Sequence, residues 1–229
     1  MTEMQQNRSR TIWARGPKRV VECALAVLLI VLLLPITIPA ALLIKIASPG
    51  PLFFTQIRTG LNGHPFKIIK FRTMRAGRKP DPKELVPLDH AEITAVGRWL
   101  RRFKIDELPQ LLNVVVGQMS LIGPRPTLST QTDAYDAFRA QRLWVRPGIT
   151  GLAQVCGNTA IPWAERILFD IAYVRRCSLL LDLWILIQTL AVIVRGECRN
   201  PKPFAESRFA ADVPIPNDYF HGPGRIGSG

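Results

Sequence analysis

From Ala24 to Ile44 every position is apolar except Thr37, and two prolines, Pro35 and Pro39, interrupt the run. The length reaches that of a transmembrane helix. Pro35 lies in mid-segment, where it removes a backbone hydrogen bond and bends the helix, and Pro39 follows one turn later. No small-residue cleavage site precedes the more polar chain, which argues against a cleaved signal peptide. Basic residues flank the segment on both sides: Arg8, Arg10, Arg15, Lys18 and Arg19 before it, and Lys45, Arg58, Lys67 and Lys70 after it. Positive charge favours the cytoplasmic face, so this symmetry gives a simple span no orientation. A helix that enters, bends at Pro35 and returns would satisfy both flanks. A single-pass anchor remains the alternative.

The pattern elsewhere is shorter in wavelength. The first sixteen residues are polar and basic, a loose arm. Ser48-Pro49-Gly50-Pro51 makes a rigid exit turn. Leu52–Ile57 and Phe66–Phe71 read as two strands joined by a turn containing Gly60, Asn62 and Gly63. Arg78–Asp89, with Pro80, Pro82, Lys83 and Pro87, reads as a polar surface loop. Ile93, Val96, Trp99 and Leu100 recur at helical spacing and predict a helix over Ala91–Phe103. Further helices are predicted over Leu111–Val116, Gln131–Leu143 and Trp163–Tyr173, with a turn at Arg146–Gly151. Leu179–Val194 is too short to span a bilayer comfortably and carries Asp182 and Gln188. It reads either as an amphipathic helix in a membrane interface or as a core helix. Beyond Gly196 the composition shifts to Pro, Gly and isolated charges, which predicts an extended or disordered tail.

A net charge of +13 and a pI near 10.4 call for an anionic partner. The four cysteines (Cys23, Cys156, Cys177, Cys198) are scattered, and His64, His90 and His221 lie far apart. That spacing argues against a zinc site or a disulfide framework. The chain has no Gly-x-x-x-x-Gly-Lys-Ser/Thr loop and no Asp-x-Asp. It also lacks the aromatic–basic interleaving of an RNA-binding sheet, so no nucleic-acid partner is expected. Lipid phosphate or a nucleotide diphosphate fits the charge better.

The chemistry concentrates in Lys104-Ile105-Asp106-Glu107-Leu108-Pro109-Gln110 and, shortly after, Met119-Ser120-Leu121-Ile122-Gly123-Pro124-Arg125-Pro126. Adjacent carboxylates at a predicted helix start, with arginines on both sides, suit phosphoryl chemistry: one acid to attack or activate, the other to hold a divalent metal. The plain alternative is a helix cap, since Asp favours that position and Pro is tolerated in a first turn.

These blocks, together with Phe54-x-Gln56-x-Arg58-x-Gly60, Lys70-Phe71-Arg72-Thr73-Met74, Gly97-Arg98-x-Leu100-Arg101 and Val145-Arg146-Pro147-Gly148-Ile149-Thr150-Gly151, resemble the bacterial sugar transferases, specifically the small monotopic phosphoglycosyl transferases. The resemblance runs from Lys18 to about Thr189. It implies an α/β fold, mainly helical with a short β-hairpin: a basic arm (1–16), a re-entrant membrane helix (17–47), a cytosolic catalytic domain with interfacial amphipathic helices (48–199) and a C-terminal tail (200–229). It implies transfer of a phosphosugar from a UDP-sugar to undecaprenyl phosphate with release of UMP, through an aspartyl-phosphosugar on Asp106. Glu107, with Asp106, would bind magnesium, and Lys70, Arg72, Arg101, Arg125 and Arg146 would carry phosphate charge. The helix dipole is expected to keep Asp106 ionised. The implied partners are the UDP-sugar, undecaprenyl phosphate and membrane lipids at the cytoplasmic face of a bacterial inner membrane, with both termini cytoplasmic and self-association left open. The chain departs from the family pattern at Phe103, Lys104, Gln118, Asn158-Thr159, Arg175-Arg176, Glu22 and Leu34. The rival readings are a glycosyltransferase that releases UDP and a basic membrane scaffold without activity.

Overall fold

In a computed structural model the described residues are 12–75, 90–196 and 201–220. The predicted polar loop at Arg78–Asp89 and most of the N-terminal arm lie outside them. After a short turn α1 (Ile12–Arg15), the apolar segment forms α2 (Pro17–Leu32) and α3 (Leu34–Ala47), bent by 62° where they meet at Leu33. Pro35 accounts for the break, because it has no N–H to give to the carbonyl of Val31 and its ring crowds that turn. No single helix among the described residues is long and apolar enough to cross a membrane, but the bent pair passes that test together.

A hairpin follows. β1 (Phe53–Thr59) pairs antiparallel with β2 (Pro65–Phe71), in register from Phe53 opposite Phe71 to Thr59 opposite Pro65. Asn62 (φ 54°) and Gly63 (φ 84°) supply the left-handed backbone that reverses the chain. α4 (Ala95–Arg102) is shorter than its predicted range, and Thr94 caps it by accepting from the Gly97 N–H at 2.9 Å. A tight turn over Ile105–Glu107 leads into α5 (Gln110–Val116), and β3 (Ser120–Ile122) comes next.

The predicted helix over Gln131–Leu143 is instead broken into α6 (Ser129–Thr132), α7 (Ala137–Ala140) and a 3-10 turn at Gln141–Trp144. Asp136 explains the restart, since its side chain accepts from the Arg139 N–H at 2.7 Å and caps α7. The predicted turn at Arg146–Gly151 contains a strand, β4 (Gly148–Thr150), that pairs parallel with β3. Gly148 is more than a turn residue, because a Cβ there would lie 2.1 Å from the Gly123 nitrogen.

α8 (Leu152–Val155), α9 (Trp163–Arg176) and α10 (Leu179–Arg195) complete the body. Every residue of α9 from Ile167 to Val174 is buried, so this helix is the axis of the main core. Ala26, Leu111, Val114, Met119, Leu121, Leu152 and Ile185 pack around it. A second cluster joins α3, β2 and α4 through Ala40, Ile44, Phe71 and Leu100. The tail is not an extended or disordered strand over residues 201–220. Phe204, Phe209, Val213 and Tyr219 are buried, and the Phe204 ring meets Phe169 edge-on at 4.9 Å. Four apolar anchors dock an otherwise polar segment.

A buried polar network ties α2 to the body. Lys18 bonds Asp182 at 2.6 Å and Glu22 at 2.9 Å, while Glu22 accepts from the Ser120 hydroxyl at 2.5 Å. Asp182 also accepts from Trp13 and Tyr173, which makes it a paired structural acid. Away from these contacts, Val20, Val31 and Leu32 on α2, Ile38, Leu42 and Ile46 on α3, and Leu180, Ile187, Leu190 and Val194 on α10 are exposed.

Candidate active site

The hairpin, the turn before α5 and the loop after β3 converge on one carboxylate. Glu107 Oε1 accepts from Lys70 Nζ at 2.7 Å and from an Arg125 guanidinium nitrogen at 2.7 Å. Among the described residues its Oε2 has one contact, at 3.4 Å with the other Arg125 nitrogen. Asn113 sets this arrangement from behind. Its Oδ1 accepts from the Ile69 N–H at 3.1 Å and its Nδ2 donates to the Lys67 carbonyl at 2.8 Å. Asn113 thus fastens α5 to the free edge of β2, as a neighbouring strand would, and Lys70 is delivered to Glu107.

Asp106 and Glu107 do not cap α5. They lie one turn earlier, behind a left-handed Lys104 (φ 57°), and Pro109 holds the cap position. Both acids are buried. Burial works against ionised Glu107, but Arg125 and Lys70 outweigh it by charge and hydrogen bonding and hold its carboxyl well below the usual range. For Asp106, burial and then the Glu107 charge push the pKa up, with Lys70, Arg101 and Arg125 pulling the other way. Asp106 lies one turn before α5 rather than at its start, and burial sets the upward direction of its shift. Among the described residues Asp106 makes no ion pair or side-chain hydrogen bond, and Lys70, Arg101 and Arg125 act on it by charge alone.

The structure divides the five predicted cationic residues. Lys70 and Arg125 touch Glu107, and Arg101 acts on Asp106 while its Nε donates to Thr73 Oγ1 at 2.9 Å. Arg72 is elsewhere: it is buried and donates to the carbonyls of Ser48 and Pro49, holding the exit turn. Arg146 donates to the Gly117 carbonyl at 2.9 Å, and its charged neighbours are Arg19 and Glu22. One cation was missed. Burial, with Arg125 beside it and despite Glu107, lowers the Arg58 pKa to about 10. Period-two reading of the hairpin would have found it, since Phe54, Gln56 and Arg58 share a face and Phe54 sits opposite Lys70.

Two adjacent carboxylates would fit a magnesium ion that also binds substrate phosphates and water, with Glu107 Oε2, now in contact with Arg125 at 3.4 Å, as the oxygen less tightly held by cations. Among the described residues no group of three or more His, Cys, Asp or Glu forms a closed metal cage.

Residues 13–196 match the model of the family described as bacterial sugar transferase. The chain belongs to that family. The transferase is 45% identical over 183 residues to the UDP-glucose:undecaprenyl-phosphate glucose-1-phosphate transferase of Caulobacter vibrioides, covering 76% of this chain and 68% of the relative. It is 36% identical over 191 residues to the exopolysaccharide production protein ExoY of Sinorhizobium fredii (77% and 84%). It is 39% identical over 185 residues to the UDP-N-acetylgalactosamine-undecaprenyl-phosphate N-acetylgalactosaminephosphotransferase of Aeromonas hydrophila (78% and 44%).

Several departures from the family pattern now have structural roles in the transferase. Gln118 accepts from Asn113 Nδ2 at 2.7 Å, and Glu22 accepts from Ser120 and the Ile122 N–H. Arg175 donates to the Asp212 carbonyl at 3.2 Å, and Arg176 pairs with the Asp212 carboxylate at 3.2 Å. These two arginines hold the tail, which lies beyond the family match.

Proposed function

We propose that this phosphoglycosyl transferase moves a phosphosugar from a UDP-sugar to undecaprenyl phosphate, releasing UMP, and so begins assembly of a surface glycan. The observation that carries the reading is the split pair: an Asp106 without an ion pair or side-chain hydrogen bond among the described residues, beside a Glu107 held ionised by Lys70 and Arg125. An Asp106 oxygen attacks the phosphorus that bears the sugar. The phosphoanhydride bond breaks, UMP leaves with its electron pair, and an aspartyl-phosphosugar remains. A phosphate oxygen of undecaprenyl phosphate then attacks the same phosphorus and frees Asp106. One phosphoanhydride replaces another, so no ATP is consumed. Raising the pKa of Asp106 makes it the more basic nucleophile of the pair.

Lys70, Arg101, Arg125 and the newly found Arg58 carry the diphosphate charge around the reacting phosphorus. A magnesium ion held by Glu107, with Asp106, would neutralise diphosphate charge so that an anion can approach an anion. The α2–α3 pair enters the bilayer from the cytoplasmic face and returns to it, with α10 in the interface and both termini cytoplasmic. The 62° bend at Leu33 and the exposed apolar residues on all three helices support this placement.

The test is nucleotide release by nanodisc-purified protein with magnesium, undecaprenyl phosphate and a panel of UDP-sugars including UDP-glucose and UDP-N-acetylgalactosamine. UMP is expected from one or two donors and is lost in Asp106→Asn. Release of UDP instead would assign glycosyl transfer. No release from any donor, with lipid binding unchanged in Asp106→Asn, would assign a scaffold.

A further inference from the structure

We propose that the buried pair Arg142–Asp170 is a positioning device that fixes Arg125 on Glu107. Arg142 and Asp170 are each 2% exposed, and an Arg142 guanidinium nitrogen meets Asp170 Oδ2 at 2.6 Å. The same nitrogen donates its other hydrogen to the Arg125 carbonyl at 3.0 Å. The second terminal nitrogen donates to the Tyr135 hydroxyl at 2.7 Å, and the guanidinium lies 5.2 Å from the Trp163 ring centre. One planar group therefore bridges the central helix α9 and the backbone of the loop that carries Arg125.

That loop needs such an anchor. Arg125 leaves β3 between Pro124 and Pro126, neither of which has an N–H to fasten it. From outside the loop, Gly148 N–H holds the Pro124 carbonyl at 2.9 Å and Thr59 N–H holds the Thr127 carbonyl at 2.8 Å. The Arg125 carbonyl between them is held by Arg142. The Arg125 side chain is 44% exposed, so packing alone does not fix where its guanidinium points. A fully buried ion pair contributes little net stability compared with apolar residues of similar size. Orientation of a residue that touches Glu107 is a use for this one. Neither Arg142 nor Asp170 touches Glu107, so both are positioning residues.

The inference rests on Arg125 acting in phosphosugar transfer, and two readouts separate its failure from the failure of that reading. The first is a double-mutant cycle on UMP release. Arg142→Lys keeps the charge opposite Asp170 but loses the planar fork that reaches Asp170, Tyr135 and the Arg125 carbonyl together, and is expected to lower kcat/KM roughly 10- to 100-fold, as loss of a supporting hydrogen bond behind an active-site group does. Tyr135→Phe removes one contact and lowers it less; it also completes the cycle if Arg142→Lys does not fold. In an Arg125→Lys background each further loss shrinks to about twofold or less, because the device has lost what it positions. A general packing role gives the full loss in both backgrounds, and that result overturns the proposal, as does wild-type turnover in Arg142→Lys.

The second readout is amide hydrogen exchange over Gly123–Leu128, which needs no turnover. Loop amides are expected to exchange roughly tenfold faster in Arg142→Lys while α5 amides hold their protection. Unchanged loop exchange overturns the proposal even if the wild-type protein proves inactive. Absent UMP release together with loosened loop exchange removes the functional reading alone.

Discussion

At the scale of single residues, the two acids answer oppositely to neutralisation. Asp106 has a raised pKa, so its stabilising contribution is present at low pH and is lost as pH rises through the folded value; ionised Asp106 is a burden at pH 7. Asp106→Asn, measured without divalent cations, should therefore unfold at the same or a higher temperature than wild type while losing turnover by at least about a thousandfold. A large drop in melting temperature would show that Asp106 has a structural role. Glu107 has a depressed pKa, so its contribution is complete above the unfolded value of 4.5 and fades as pH falls below it. Glu107→Gln removes the negative charge that Lys70 and Arg125 share. The expected cost at pH 7 in urea unfolding is about 2–4 kcal/mol, at or below the usual range for breaking a buried pair because Arg125 is partly solvated. That penalty should shrink in titrations carried below pH 4.5. Lysine and arginine residues were visible in the sequence as a set, but their division was not. Arg72 and Arg146 read like Lys70 and Arg125 until the fold sends them to backbone carbonyls at Ser48 and Gly117.

At the scale of elements, what could be read was what local pattern encodes. The hairpin, α4, α5 and α9 carry their own period and their own turn chemistry, with Asn62 and Gly63 at the left-handed positions. β3 and β4 were illegible because three residues carry no period, and their pairing joins Ser120 to Gly148 across 28 positions. The tail was misread for a different reason. Its mean composition is that of a disordered segment, but docking depends on a few anchors rather than on the mean. Arg175 and Arg176, which departed from the family pattern, add polar contacts to that docking. Phe204→Ala removes a 1% exposed ring from against Phe169. A core Phe→Ala costs about 3–5 kcal/mol, but a terminal segment can detach, which limits the loss to its own docking energy. The prediction is faster proteolysis within residues 201–220 with the melting of the body little changed. A collapse of the whole fold would make the tail integral to the core.

At the scale of the molecule, the proposed re-entrant placement turns on the bend at Leu33, which would return the chain to the face from which it entered. α2 is anchored to the body by Lys18–Asp182 and Glu22–Ser120, and by Arg19 donating to the carbonyls of Val114 and Val115 at the end of α5. α3 returns to the same body through Ala40 and Ile44. Both ends of the apolar pair thus attach to one catalytic unit, a geometry that a straight span would tear apart. Replacing the native cysteines by alanine and placing single cysteines at Gly16 and Asp133, both exposed, tests this in intact cells. Neither should react with an impermeant maleimide until the inner membrane is opened. Labelling of Gly16→Cys alone from outside would establish a span. Pro35→Leu restores the hydrogen bond to Val31 and removes the ring clash, which favours a continuous helix by about 3 kcal/mol. The opposing contacts of Lys18, Arg19 and Glu22 are multiple and at least half-buried. We expect the Gly16 label to stay protected in most molecules of Pro35→Leu, with labelling rising when Lys18→Ala and Glu22→Ala are added. Full exposure from Pro35→Leu alone would mean that the proline, and not the buried network, holds the N-terminus inside.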